Sequence, residues 1–127
     1  MPTTQHKTIL LVEDDRTFQK QMQHKFAQEG FTLIIAEDGE EGLKKAQKDR
    51  PDLILLDIMM PKMDGMTMLE KLQKSNWGKD LPVMLVTNLD DADSTSKAAH
   101  KGVYDYLLKA DWTPKQIVEK VKEKLGV

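Results

Sequence analysis

Three short runs of unbroken apolar residues, each cut off by a carboxylate or a polar group, constrain this chain most. Ile9-Leu10-Leu11-Val12 stops at Glu13-Asp14-Asp15, and Leu53-Ile54-Leu55-Leu56 stops at Asp57. Leu81 to Val86 stops at Thr87-Asn88. Four consecutive apolar residues with no alternation suit a strand buried on both faces, as in a parallel sheet covered by helices. Two weaker strands are predicted, Phe31 to Ala36 and Tyr104 to Leu108, the latter ending at Lys109.

Helical patterns fill the gaps. Phe18, Met22 and Phe26 recur every fourth residue before Gly30. Glu37-Asp38-Gly39-Glu40-Glu41 opens a second helix with acid at its positive end, and Leu43 and Ala46 face inward. Asp64-Gly65 reads as a turn and cap before Met68, Leu69 and Leu72. Asp90 to Lys101 is weakly amphipathic. Thr113-Pro114-Lys115-Gln116 is a capping box with proline in the first turn, ahead of Ile117, Val121 and Leu125. Five strands alternating with five helices imply a doubly wound α/β parallel sheet. Residues 1–7 read as a flexible lead-in, and 8–127 as one domain.

Composition narrows the function. The 127 residues carry 21 acidic and 19 basic side chains, a formal charge of −2, which argues against direct nucleic-acid binding. No apolar run approaches the ~20 residues of a membrane span, and no hydrophobic leader precedes Ile9, so a cytoplasmic protein without membrane insertion is expected. There is no cysteine, hence no disulfide, thiolate metal site or cysteine nucleophile.

In open parallel sheets, sites form at the carboxyl ends of the strands. There the sequence delivers Glu13, Asp14, Asp15, Asp57, Thr87, Asn88 and Lys109. Two carboxylates ~4 Å apart repel by about 4 kcal/mol at a surface-like dielectric, which a divalent cation relieves. Oxygen donors without soft ligands favour Mg²⁺. With Lys109 and a threonine hydroxyl nearby, the set suits phosphoryl transfer to an aspartate.

Several residues have plainer readings. Asp15 is a helix cap more readily than a ligand. His6, His24 and His100 lack ligand spacing. Met59, Met60, Met63, Met66 and Met68 read as core and loop filling rather than as a partner groove. Lys115, Lys120, Lys122 and Lys124 read as a solvated helix face, and Trp112 is open between docking and packing. Asp57, directly after four apolar residues, has no such excuse.

The strings ILLVEDD, LLDIMMPKMDG, LPVMLVT and DYLLK resemble the receiver domain of two-component response regulators, over about Thr8 to Leu125. The resemblance implies a flavodoxin-like fold with strand order 2-1-3-4-5, an order that general accounts of such folds illustrate with the chemotaxis member of this family. It implies that Asp57 accepts a phosphoryl group from a sensor histidine kinase or histidine phosphotransfer protein. Asp14, Asp57 and the Met59 backbone carbonyl would hold Mg²⁺ (or Mn²⁺), with Glu13 acting through water. Lys109 would bind a phosphoryl oxygen. Thr87 and Tyr106 would form the switch, changing the face of the fourth helix, fifth strand and fifth helix toward a downstream protein target. Such a protein is no turnover enzyme, and it would be a stand-alone regulator, monomeric or dimerising with phosphorylation.

The chain also departs from the family. Ala110 replaces the proline that follows the lysine, and a cis bond without proline costs about 3–4 kcal/mol, which favours trans there. Asn88 stands where a small residue is usual. Met59, Asn88 and Leu89 are the positions expected to tune the site. Since the Met59 and Leu89 side chains cannot position water, slow self-dephosphorylation is expected.

Three rivals compete. A flavin protein of similar layout needs a phosphate-binding loop where this chain has three acids. A phosphatase with an aspartate nucleophile needs a second aspartate where Met59 stands. The serious rival is a phosphorylation-independent interaction module, against which the full set of Glu13, Asp14, Asp57, Thr87 and Lys109 argues.

Overall fold

The computed structural model describes residues 7–127, so the expected lead-in lies outside the described residues except for Lys7. Ten elements alternate: β1 (Thr8–Val12), α1 (Arg16–Gln28), β2 (Thr32–Ala36), α2 (Gly39–Asp49), β3 (Leu53–Leu56), α3 (Gly65–Lys74), β4 (Val83–Thr87), α4 (Ala92–His100), β5 (Tyr106–Leu108) and α5 (Pro114–Leu125). The strands form one parallel sheet in the order β2-β1-β3-β4-β5. The expected flavodoxin-like architecture is therefore present.

The apolar runs explain the two-sided core. Successive strand side chains point to opposite faces. Ile9 and Leu11 of β1, with Leu53 and Leu55 of β3, meet Phe18, Met22 and Phe26 of α1 and Ile117, Val118 and Val121 of α5. Leu10, Val12, Ile54 and Leu56 point the other way, onto Ala46, Met68, Leu69, Leu72 and Ala98 of α2, α3 and α4. Each fully buried aliphatic side chain stabilises the fold by about 1.5–3 kcal/mol relative to exposure.

Element ends differ from the sequence reading most at β2, β4 and β5. Phe31 lies outside β2, in the motif that closes α1, where its N–H bonds the Phe26 carbonyl (3.0 Å) beyond Gly30 at φ 85°. β4 begins at Val83 and takes in Thr87. β5 is only three residues long, and Tyr104, at its approach, is 78% exposed.

Four of the five helices start on an aspartate. Asp15, Asp38, Asp64 and Asp91 accept backbone N–H groups of α1, α2, α3 and α4, while Thr113 and Gln116 close the capping box of α5. An aspartate there satisfies an orphan donor and matches the positive end of the helix dipole. The lysine face of α5 is not simply solvated. Lys122 pairs with Glu29 (2.5 Å), and Lys124 and Lys120 with Asp105 (2.8 and 4.0 Å), tying α5 to α1 and β5. These partners lie far away in sequence. Trp112 packs against the core beside α1 and α5. Among the described residues no peptide bond is cis, so Lys109–Ala110 is trans.

Candidate functional site

Three side chains reach the carboxyl edge of the sheet because the ladder runs one residue past the strands. The Glu13 N–H bonds Ala36 O (2.8 Å), the Asp57 N–H bonds Val12 O (3.0 Å) and the Lys109 N–H bonds Thr87 O (2.9 Å). These backbone bonds fix residues on β1, β3 and β5 relative to one another. Their side chains converge, and Glu13, Asp14 and Asp57 each offer an oxygen within 4.8 Å of the other two. Asp15 has turned aside to cap α1, as its plainer reading had it.

A cleft of about 200 Å³ opens over this point, lined by Glu13, Asp14, Asp15, Asp57, Met59, Thr87, Asn88 and Lys109. Glu13, Asp57 and Thr87 are buried, while Asp14 and Asn88 are exposed. The Lys109 ammonium contacts Glu13 Oε1 and lies 3.3 Å from Asp57 Oδ2. It also sits 4.7 Å from the centre of the Phe18 ring. Asp57 Oδ1 accepts the Ile58 N–H (2.7 Å), leaving Oδ2 toward the lysine. Glu13 Oε2 accepts the Asp15 N–H (3.0 Å), and Gln19 Nε2 holds the Glu13 carbonyl (2.6 Å).

Burial dominates the electrostatics at Glu13. It pushes the carboxyl up to about 7, against the pull of the Lys109 ammonium and the Asp15 N–H, while the Asp57 charge raises it further. Burial would lower Lys109, but hydrogen bonding to Glu13 and the field of Asp57 outweigh it and hold the ammonium above its ordinary value. Two acids thus share one lysine. Glu13 Oε1 takes its share directly against the ammonium, and Asp57 Oδ2 takes the other at 3.3 Å. Three carboxylates offering oxygens within 4.8 Å of one another, with no softer ligand among them, fit a hard divalent cation and its waters.

Thr87 and Tyr106 are placed differently. The Thr87 hydroxyl faces the cleft and accepts the Leu89 N–H (3.2 Å). Tyr106 lies off the cleft, half-buried, and its hydroxyl donates to the Leu89 carbonyl (2.5 Å). Burial and the nearby Asp91 charge push its phenol up. Leu89 therefore links the two residues, through its N–H on one side and its carbonyl on the other, and its side chain packs on the core rather than lining the cleft. Met59 does line it and is 63% exposed.

The methionine run only partly fills the core. Met68 is fully buried and Met60, Met63 and Met66 pack against the core. Met59, Met60 and Met66 also line an open groove of about 590 Å³ beside the cleft. Spacing does not reveal such a groove, because it forms between the β3–α3 loop and α4.

Gly65 is the supporting residue that the sequence reading misplaced. It is the first residue of α3, not a turn residue, and a Cβ there would lie 2.1 Å from the Asp57 carbonyl oxygen. Its small size lets α3 start against the backbone of Asp57. Phe18, which the sequence marks only as a core position, and Gln19 both lie on the first turn of α1, one against the Lys109 ammonium and the other against the Glu13 carbonyl.

A doubly wound sheet with three carboxylates and a lysine gathered at its carboxyl edge defines a flavodoxin-like protein with a site suited to a hard cation. The model of the response regulator receiver domain matches residues 9–122, and the chain belongs to that family. It is 33% identical over 117 residues to the alkaline phosphatase synthesis transcriptional regulatory protein PhoP of Bacillus subtilis, covering 92% of this chain and 48% of that protein. The chain thus spans about half the length of this curated relative. A CheY-like response regulator receiver domain protein from Methanospirillum hungatei matches with a TM-score of 0.86 and 31% identity, over 94% of both chains. The CheX–CheY–BeF3–Mg²⁺ complex from Borrelia burgdorferi matches with a TM-score of 0.84 and 29% identity, over 94% of this chain and 89% of that one. As a receiver domain the chain is a signalling phosphoacceptor rather than a turnover enzyme. Among the described residues no helix is long and apolar enough to cross a membrane.

Proposed function

We propose that Asp57 accepts a phosphoryl group from a phosphohistidine on a sensor histidine kinase or phosphotransfer protein, and that this switches the α4–β5–α5 face toward a downstream protein. The observation that carries the reading is the convergence of Glu13, Asp14 and Asp57 within 4.8 Å beside Lys109. Asp57 Oδ2 is the attacking atom, since Oδ1 is held by the Ile58 N–H. Lys109 lies 3.3 Å from Oδ2, where it can turn to an incoming phosphoryl oxygen. Mg²⁺ held by Asp14, Asp57 and the Met59 carbonyl, with Glu13 acting through water, supplies neutralisation of the phosphoryl oxygens' charge. Thr87 has its hydroxyl proton free to donate, because its oxygen accepts from Leu89. When Thr87 turns to a phosphoryl oxygen, the Leu89 backbone is released and Tyr106 loses the frame of its hydrogen bond. The phosphoryl dianion thereby favours one of two arrangements, as a switch requires.

On this reading the receiver unit spans residues 8–127, works in the cytoplasm, and acts by protein contact, either monomeric or dimerising when phosphorylated. The match to a Mg²⁺ and beryllofluoride complex of a CheY supports the metal and the acceptor site. The test is intact mass after incubation with acetyl phosphate. One phosphoryl group gained with Mg²⁺, and absent without it or in Asp57→Asn, is the expected result. No gain, together with no beryllofluoride binding, refutes the reading and leaves an interaction module that works unphosphorylated.

A further inference from the structure

The acidic cleft and the methionine groove share two residues, Asp14 and Met59. Met59 therefore stands on the wall between them, with its side chain 63% exposed. Met22, Met68 and Met84 are fully buried, and Met60, Met63 and Met66 are half-buried. A thioether oxidises according to how readily the oxidant reaches it. The carboxylates beside Met59 repel anionic oxidants but do not hinder a neutral peroxide.

We infer that Met59 is an oxidation site, through which a hydroperoxide shortens the lifetime of the phosphoryl group on Asp57. The inference rests on the phosphoacceptor reading above. A sulfur lone pair attacks one peroxide oxygen and the O–O bond breaks. The sulfur loses two electrons and gains that oxygen. The other oxygen leaves with a proton as water, or as an alcohol from an organic peroxide. The product is methionine sulfoxide, which puts a polar S=O where an apolar thioether stood.

That exchange matters because of where the side chain lies. Hydrolysis of an aspartyl phosphate needs a water positioned for in-line attack. Among the cleft-lining residues, Glu13 and Asp14 would be taken up by the metal and Lys109 by the phosphoryl oxygens, Thr87 lies buried at the end of β4, and Asn88 brings an exposed amide. Met59 lines the cleft and is largely exposed, and its thioether offers that water no hydrogen bond of useful strength. The sulfoxide oxygen accepts one. A single neutral hydrogen bond formed as the water attacks is worth about a fivefold rate increase. Met60 and Met66 line the groove and not the acidic cleft, so their oxidation does not place an acceptor over Asp57.

The experiment uses the full chain and hydrogen peroxide. Graded peroxide followed by peptide mass mapping should show Met59 oxidised before Met22, Met68 and Met84. Protein loaded with acetyl phosphate and Mg²⁺ should then lose its phosphoryl group about fivefold faster after oxidation. Methionine sulfoxide reductase should restore the slow decay. Met59→Leu keeps the backbone carbonyl and an apolar side chain but has no sulfur, so its decay should not respond to peroxide. Late oxidation of Met59, an unchanged decay rate, or a peroxide effect that persists in Met59→Leu would each overturn the inference. Failure of the unoxidised protein to take up any phosphoryl group overturns the underlying function instead, and with it this regulation, whatever the mapping shows.

Discussion

Gly65→Ala tests how the phosphoacceptor loop is built. Alanine is normally the better helix former by roughly 0.5–1 kcal/mol, so at an ordinary site in the first turn the change would stabilise the protein. Here the new Cβ falls 2.1 Å from the Asp57 carbonyl oxygen and 2.9 Å from Ile58 Cα, whereas ordinary contact begins near 3.4 Å. All the nearest atoms are backbone, so no side chain can swing aside. The start of α3 must shift by on the order of 1 Å, and overpacking of that kind costs about 1–3 kcal/mol or more. The Gly65 N–H also bonds the Ile58 carbonyl at 2.8 Å, and the shift strains that bond as well. The clash outweighs the helix gain, and we expect a net loss of about 2 kcal/mol. Urea denaturation should show a midpoint lowered by about 1 M. Because the displaced atoms belong to Asp57, the rate of acetyl phosphate loading should fall too. Gly102→Ala is the comparison: φ there is +81° with open space around it, so only the left-handed backbone conformation costs, about 1 kcal/mol, and loading is untouched. A Gly65→Ala protein as stable as the original and loading at the same rate would refute the close-approach argument.

Two further outcomes follow from the site's charges. Glu13 has a folded pKa raised to about 7 from 4.5, so its neutral form favours the fold. That stabilisation is complete below the unfolded value and is lost as pH rises from 4.5 to about 7, so metal-free protein should show a falling contribution over that window, and Glu13→Gln should lack it. Urea midpoints at pH 5, 6 and 7.5 in chelator check this; equal pH dependence in the two proteins would contradict it. Lys109→Ala removes the cation that shares the acids with a metal, so Mg²⁺ should bind several-fold more tightly by calorimetry while phosphoryl loading is lost; weaker Mg²⁺ binding would count against the arrangement.

The sheet was legible because burial on both faces leaves a mark in sequence that few other environments leave. Ile9 to Val12 and Leu53 to Leu56 carry no polar residue at all, and the helix caps follow local chemistry that a six-residue window contains. The set of cleft residues was legible because strand ends collect chemistry. What escaped depends on distance across the fold. Lys122 finds Glu29 and Lys124 finds Asp105 only once α5 is laid beside α1 and β5. Gly65 read as a turn because closeness to the Asp57 carbonyl has no local signature. Phe31 read as strand because helix-end motifs and strand starts both favour an apolar residue after glycine.

If Thr87 and Tyr106 form the proposed switch, the backbone of Leu89, held at its N–H by Thr87 and at its carbonyl by Tyr106, sets an energy scale for spontaneous activation. Losing one such bond to solvent costs about 1 kcal/mol, so both together leave the released loop populated at about 3%. That is a resting leak, small but not zero. A protein with only one of the two bonds would leak at over 10% by the same scale, and its partner would bind without any phosphoryl signal. On the proposed reading the double clamp would set the contrast between the two arrangements before any phosphoryl group arrives.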